Sequence, residues 1–150
     1  MSGYARNTSV PVDRSKAEIE RTLARYGAEK FGYLVDRGES VIGFEVRGRA
    51  VRMRLSMPEK PPASSGRAAR GARAAEVKHE RAVRQRWRAL ALVVKAKLEA
   101  IESGIATFDD EWLAYLVTKS GTTVGEQVLP QLLMRNGSEP LMLTDKPRRG

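Results

Sequence analysis

The segment Arg81–Ser103, RAVRQRWRALALVVKAKLEAIES, constrains the fold more than any other stretch of the chain. Trp87, Leu90, Val94, Leu98 and Ile101 recur at three- and four-residue steps, which places them on one helical face. Arg81, Arg84 and Arg88 recur at the same steps and form a second stripe near the start. A helix of this kind closes a core with one face and carries charge on another. Its expected span runs from near Ala74 to Ser103, with Gly104 as its stop.

The preceding chain has a different period and supplies what such a helix would cover. Phe31, Tyr33 and Val35 alternate with Lys30, Gly32 and Leu34, so residues 30–36 read as a strand. Asp36-Arg37-Gly38-Glu39 is a turn, and Val41 to Val46 a second strand. Arg47-Gly48-Arg49 makes a short hairpin connection. Val51, Met53, Leu55 and Met57 then alternate with Arg52, Arg54 and Ser56 up to Pro58, which predicts one buried and one wet face. The result is a three-stranded antiparallel meander.

Flanking signals complete the order. Val10-Pro11 disfavours helix before residue 12, so residues 1–11 are expected to be an extended lead-in. Ser15-Lys16-Ala17-Glu18 has capping-box form, and Ile19, Leu23 and Tyr26 line a helix over about residues 13–26 that stops at Gly27. Thr107-Phe108-Asp109-Asp110 opens a later helix with Trp112, Leu113, Leu116 and Val117 as its apolar side. Thr123-Val124-Gly125-Glu126 caps a short segment that Pro130 breaks. Residues 135–150 read as a tail, with Leu141, Met142 and Leu143 available to dock. The expected class is α+β in one domain spanning 1–150: α-β-β-β-α plus short C-terminal helices.

Function has to be read from charge. The net charge is +9, but residues 47–97 hold fifteen basic and three acidic residues, while the two flanking parts are neutral and slightly acidic. Such a concentrated excess points to a polyanion. Residues 58–75, PEKPPASSGRAARGARAA, have no large apolar residue except the prolines and read as a flexible basic linker carrying Arg67, Arg70 and Arg73. Arg47, Arg49, Arg52 and Arg54 crowd the hairpin without a lysine, and arginine grips phosphate in a two-pronged fork. The rival reading of these four is a solvated sheet face whose charges guard against edge pairing. Phe31, Tyr33 and Phe44 are either core or stacking aromatics.

Several chemistries find no support in the residues. There is no cysteine, so disulfides and thiolate metal sites are excluded. His79 is the only histidine and reads as a surface residue. Asp109, Asp110 and Glu111 suit the first turn of a helix, where neighbours point about 100° apart and cannot converge on one ion. The expectation is a protein without catalysis, metal or cofactor. No apolar run is long enough to span a bilayer, which points to the cytoplasm rather than a membrane.

Two resemblances add to this. The order α-β-β-β-α resembles that of the double-stranded-RNA-binding domain, which meets phosphates with the start of its last helix. Here a long linker and spread arginines stand where that domain has a short loop and clustered lysines. Thr8-Ser9-Val10, Ile19 to Gly27, RQRWRALALVVKAKLEAIESGIATFDDEWLAYLV (Arg84–Val117) and Gly121 to Glu126 resemble a family of short bacteriophage and prophage proteins. That resemblance implies a phage accessory protein in a bacterial cytoplasm, serving DNA metabolism or countering host defence.

The expected function is therefore sequence-independent binding of DNA or RNA. Its contacts would be Arg47, Arg49, Arg52, Arg54, Arg67, Arg70, Arg73, Arg81, Arg84 and Arg88. The alternative is a protein that binds and inhibits, or adapts, a host protein or ribonucleoprotein complex. The oligomeric state is left open.

Overall fold

Strand alternation and helical period both translate directly into elements. The computed structural model describes residues 2–36, 39–62, 69–132, 134 and 137. In order these are α1 (Ser2–Arg25), β1 (Lys30–Asp36), β2 (Glu39–Val46), β3 (Arg49–Ser56), α2 (Ala69–Glu102), α3 (Phe108–Trp112) and α4 (Val124–Val128). Two 3-10 turns, Leu113–Tyr115 and Leu129–Gln131, follow α3 and α4. The class is α+β, as the element pattern predicts.

The strands form one antiparallel sheet in the order β1-β2-β3. Between β2 and β3, Phe44 faces Val51, Ile42 faces Met53 and Ser40 faces Leu55. This row is the core face: Ile42, Phe44, Val46, Val51 and Met53 are buried. Ile19 and Leu23 of α1 and Trp87, Leu90, Ala91, Val94 and Leu98 of α2 cover it. Trp112 of α3 closes the side, fully buried, with its ring edge-on to Phe44 at 5.1 Å between centroids. The second sheet face carries Val41, Gly43 and Glu45 from β2 and Arg52 and Arg54 from β3.

Helix ends follow local chemistry. Past α1, Gly27 takes φ 96°, its N–H bonds Ala24 O, and Ala28 N–H bonds Leu23 O at 3.0 Å, which is a Schellman stop. Thr107 caps α3 by accepting from Asp110 N at 3.1 Å. Thr123 and Glu126 form a full capping box on α4: each side chain accepts from the other's backbone N–H.

Four expectations need correction. Residues 2–11 belong to α1 rather than to an extended lead-in; proline's φ is itself helical, and the restriction on the preceding residue is a bias, not a bar. Of the expected 58–75 linker, residues 69–75 belong to α2, because alanine and arginine favour helix strongly enough to carry Gly71 in its first turn; residues 63–68 lie outside the described residues. The helix opened by Thr107 lasts five residues, and Leu116 and Val117 leave it to bridge Val51 and Thr123. His79 is half-buried, with Nε2 donating to Pro58 O at 3.0 Å, which ties the chain after β3 to α2. The tail residues Leu141, Met142 and Leu143 lie outside the described residues.

Candidate nucleic-acid interface

The hairpin arginines divide between the two faces of the sheet. Arg49 pairs in register with Val46, whose side chain is buried, so it belongs to the helix-covered face. Arg52 and Arg54 lie opposite Gly43 and Val41, on the other face. Side chains that share a hairpin in sequence are thus aimed apart in space.

Arg52 and Arg54 are engaged within the chain. Leu116 and Val117 run along the outer edge of β3, where Val117 N–H bonds Ala50 O at 2.8 Å. This carries the loop 118–123 and α4 against the second face. Arg52 Nη2 donates to Gly121 O at 2.8 Å and lies 3.5 Å from Glu126 Oε2. Arg54 lies 3.5 Å from Glu126 Oε1 and 3.4 Å from Glu39 Oε2. The Glu126 carboxyl is held below its ordinary value, chiefly by the Thr123 N–H it accepts, against a smaller opposing effect of burial, and then by the two guanidinium charges. These two arginines close the C-terminal segment onto the sheet.

Arg47 and Arg49 sit instead at the mouth of a cleft. Arg47 and Gly48 have φ of 49° and 77°, as a two-residue I′ hairpin turn requires. The cleft, of about 1010 Å³, opens between the end of α1, this turn and the C-terminal half of α2. Arg25, Arg47, Arg49 and Lys95 line it together with Glu99, Glu102 and Asp109. Arg49 Nη2 donates to Asp109 Oδ2 at 3.0 Å. Among the described residues Arg25, Arg47 and Lys95 make no ion pair.

The helix stripe leads to this cleft. At about 100° per residue, Arg70, Arg73, Arg81, Arg84, Arg88 and Lys95 fall within an arc of about 80° on one flank of α2. That flank lies roughly a quarter turn from the Trp87–Leu98 line that meets the core. Arg84 is half-buried and the rest are exposed. Among the described residues none of the six has an acidic partner. Lys95 belongs to both stripe and cleft, so α2 joins Arg81, Arg84 and Arg88 to Arg47 and Arg49. Lys95 and Arg25 are not among the contacts expected from sequence, because Lys95 follows Arg88 by seven residues and Arg25 lies on another helix, so only the fold brings them to the cleft. Arg67 lies outside the described residues.

The aromatics separate as well. Phe44 is buried against Trp112 and Trp87 is buried in the core, so neither offers a ring to a base. Tyr33 is 49 % exposed, with Lys16 Nζ 4.1 Å above its ring. The acidic triplet diverges: Asp109 goes to Arg49, while Glu111 goes to Lys97 at 3.1 Å. Among the described residues no group of three or more His, Asp or Glu is placed to hold a metal ion, and no helix is long and apolar enough to cross a membrane. No family model, curated protein or solved structure matches the chain.

Proposed function

We propose that the protein binds nucleic acid without sequence preference, through the basic flank of α2 and Arg47 at the turn between β2 and β3. The observation that carries this reading is the row Arg81, Arg84, Arg88 and Lys95, which has no acidic partner among the described residues and continues into the cleft with Arg25 and Arg47. From Arg81 to Lys95 the helix rises about 21 Å, the axial length of about six base-pair steps. Arginine guanidiniums at these positions meet phosphates in two-pronged fashion. Phosphate contacts position a protein but read no sequence. Arg49, Arg52 and Arg54 drop out of the contact set, because their charges are met by Asp109, Glu126 and Glu39. The phage-type accessory role in a bacterial host is what the sequence resemblance implies, while the non-catalytic reading comes from the residues.

Fluorescence anisotropy with random single- and double-stranded DNA and RNA, across a salt series, tests the reading. Replacing Arg81, Arg84 and Arg88 together with alanine is expected to lower affinity for every sequence and to flatten the salt slope by about three. Replacing Arg52 and Arg54 is expected to leave the slope unchanged and to lower stability instead. If the Arg52/Arg54 pair moved the slope and the helix triple did not, the assignment of faces would be wrong.

A second reading has its own observation. Glu99 and Glu102 stand in the cleft beside Lys95 and Arg47, and such mixed charge suits a protein surface better than a polyphosphate. On that reading the protein inhibits or adapts a host protein or ribonucleoprotein complex. Absence of any binding to nucleic acid at low salt would favour it.

A further inference from the structure

The two edges of the sheet are treated differently. The outer edge of β3 is partly taken by Leu116 and Val117. The outer edge of β1 has no strand against it among the described residues. β1 is seven residues long, pairs with β2 in unbroken register, and contains no proline and no bulge. Tyr33, Leu34 and Val35 in its middle are 49, 63 and 65 % exposed. Its only charged residues are Lys30 and Asp36 at the two ends. Among the described residues, the devices that keep an edge strand solitary, namely an inward charge, a bulge, a proline or a cover, are not found on it.

We propose that β1 pairs antiparallel with β1 of a second copy, joining two meanders into one six-stranded sheet. The sequence KFGYLVD is complementary to itself about Tyr33. In that register Lys30 faces Asp36 twice, Gly32 faces Leu34 twice, Phe31 faces Val35 twice, and Tyr33 meets Tyr33 on the two-fold axis. Lys30 bonds its own Glu45 at 3.1 Å on the same face, so in the pair it would lie between Glu45 and position 36 of the second copy, and each exposed leucine lies over a glycine that leaves room for it. Side chains directly opposite must share a sheet face, so the axis can move only by whole residues. Moving it to Gly32 or to Leu34 leaves neither Lys30 nor Asp36 opposite the other. An isologous pairing of this kind closes at two copies and exposes no new edge of β1. It stands on β1 alone and is independent of the nucleic-acid reading.

Sedimentation velocity of the full chain over a concentration series tests the proposal, with circular dichroism reporting the fold of each variant. The wild type is expected to shift from monomer to dimer. Lys30→Asp places like charges opposite each other at both ends and is expected to weaken the dimer about tenfold; it also removes the pair with Glu45 inside the sheet, so its monomer fold is checked by circular dichroism. Adding Asp36→Lys to Lys30→Asp restores the pairing and is expected to restore the dimer. The absence of cysteine permits a second, geometric readout. Tyr33→Cys is expected to oxidise to a covalent dimer, because its partner is itself, whereas Leu34→Cys faces Gly32 and is expected to cross-link only when Gly32→Cys is also present. A wild type that stays monomeric at the highest soluble concentration overturns the proposal. So does a charge-swapped double variant no better than Lys30→Asp, or Leu34→Cys cross-linking as fast as Tyr33→Cys.

Discussion

Glu126 Oε2 stands 3.5 Å from Arg52 Nη2, joining two residues 74 positions apart in the chain. The same carboxylate lies 3.5 Å from Arg54 and completes the capping box of α4 by accepting from Thr123 N–H. One acidic side chain therefore ends a helix and ties it to the sheet. Its lowered pKa makes this junction sensitive to acid. The folded state binds the proton less readily than the unfolded chain does, so the contribution is complete above the ordinary carboxylate value of 4.5 and is lost as pH falls through the lower folded value. Denaturant midpoints measured from pH 7 down to about 3 should fall in wild type, since carboxylates bonded in the native state are protonated there. Glu126→Gln should start lower at pH 7 and lose part of that fall. Parallel pH curves for the two proteins would contradict the assignment.

Gly125 allows α4 to sit where it does. A Cβ built on it would lie 2.8 Å from the carbonyl oxygen of Ala114, a backbone atom that cannot swing aside. Alanine is the better helix former, so propensity alone predicts a gain. The close approach should win: Gly125→Ala is expected to cost about 1–3 kcal/mol in chemical denaturation, as overpacking does. An unchanged or raised midpoint would mean that α4 moves freely against the 3-10 turn.

These contacts mark the limit of what local pattern reveals. The alternation of Val51, Met53 and Leu55 and the 3.6-residue spacing of Trp87, Leu90, Val94 and Leu98 are set by one buried face each, so both are readable without coordinates. The face division of the arginines follows too, once the register Val46 to Arg49 is known. Glu126 meeting Arg52, or Leu116 meeting Val51, depends on how a chain returns after 60 residues or more, and no periodicity encodes that. The starts of α1 and α2 were misplaced for a different reason. Their first turns show no amphipathic pattern, and their helicity is visible only from the backbone.

Trp112 is the keystone of the side wall. It is fully buried between Phe44, Phe108 and Tyr115, with Lys97 Nζ 5.3 Å from its ring. Trp112→Ala is expected to cost about 3–5 kcal/mol. Among the described residues its indole Nε1 has no hydrogen-bond partner, so Trp112→Phe keeps an edge-on ring on Phe44 while removing that donor. Thermal unfolding should place Trp112→Phe clearly nearer to wild type than Trp112→Ala. Equal losses would show that ring size, not the ring contact, sets the stability of this wall.

Arg47 separates stability from binding at a single position. Its φ of 49° is left-handed, a conformation that costs an ordinary L-residue about 1–2 kcal/mol and asparagine less. Asn-Gly is the favoured pair for such a turn, yet an arginine precedes Gly48. Arg47→Asn should therefore raise the unfolding midpoint, by about 1 kcal/mol or less. On the proposed function the same change removes one phosphate contact at the mouth of the cleft and should reduce the salt slope of nucleic-acid binding by about one. Stability and affinity then move in opposite directions, as they do where a strained residue is kept for its side chain. A variant that gains stability and binds with an unchanged slope would remove Arg47 from the interface and leave the flank of α2 to carry it.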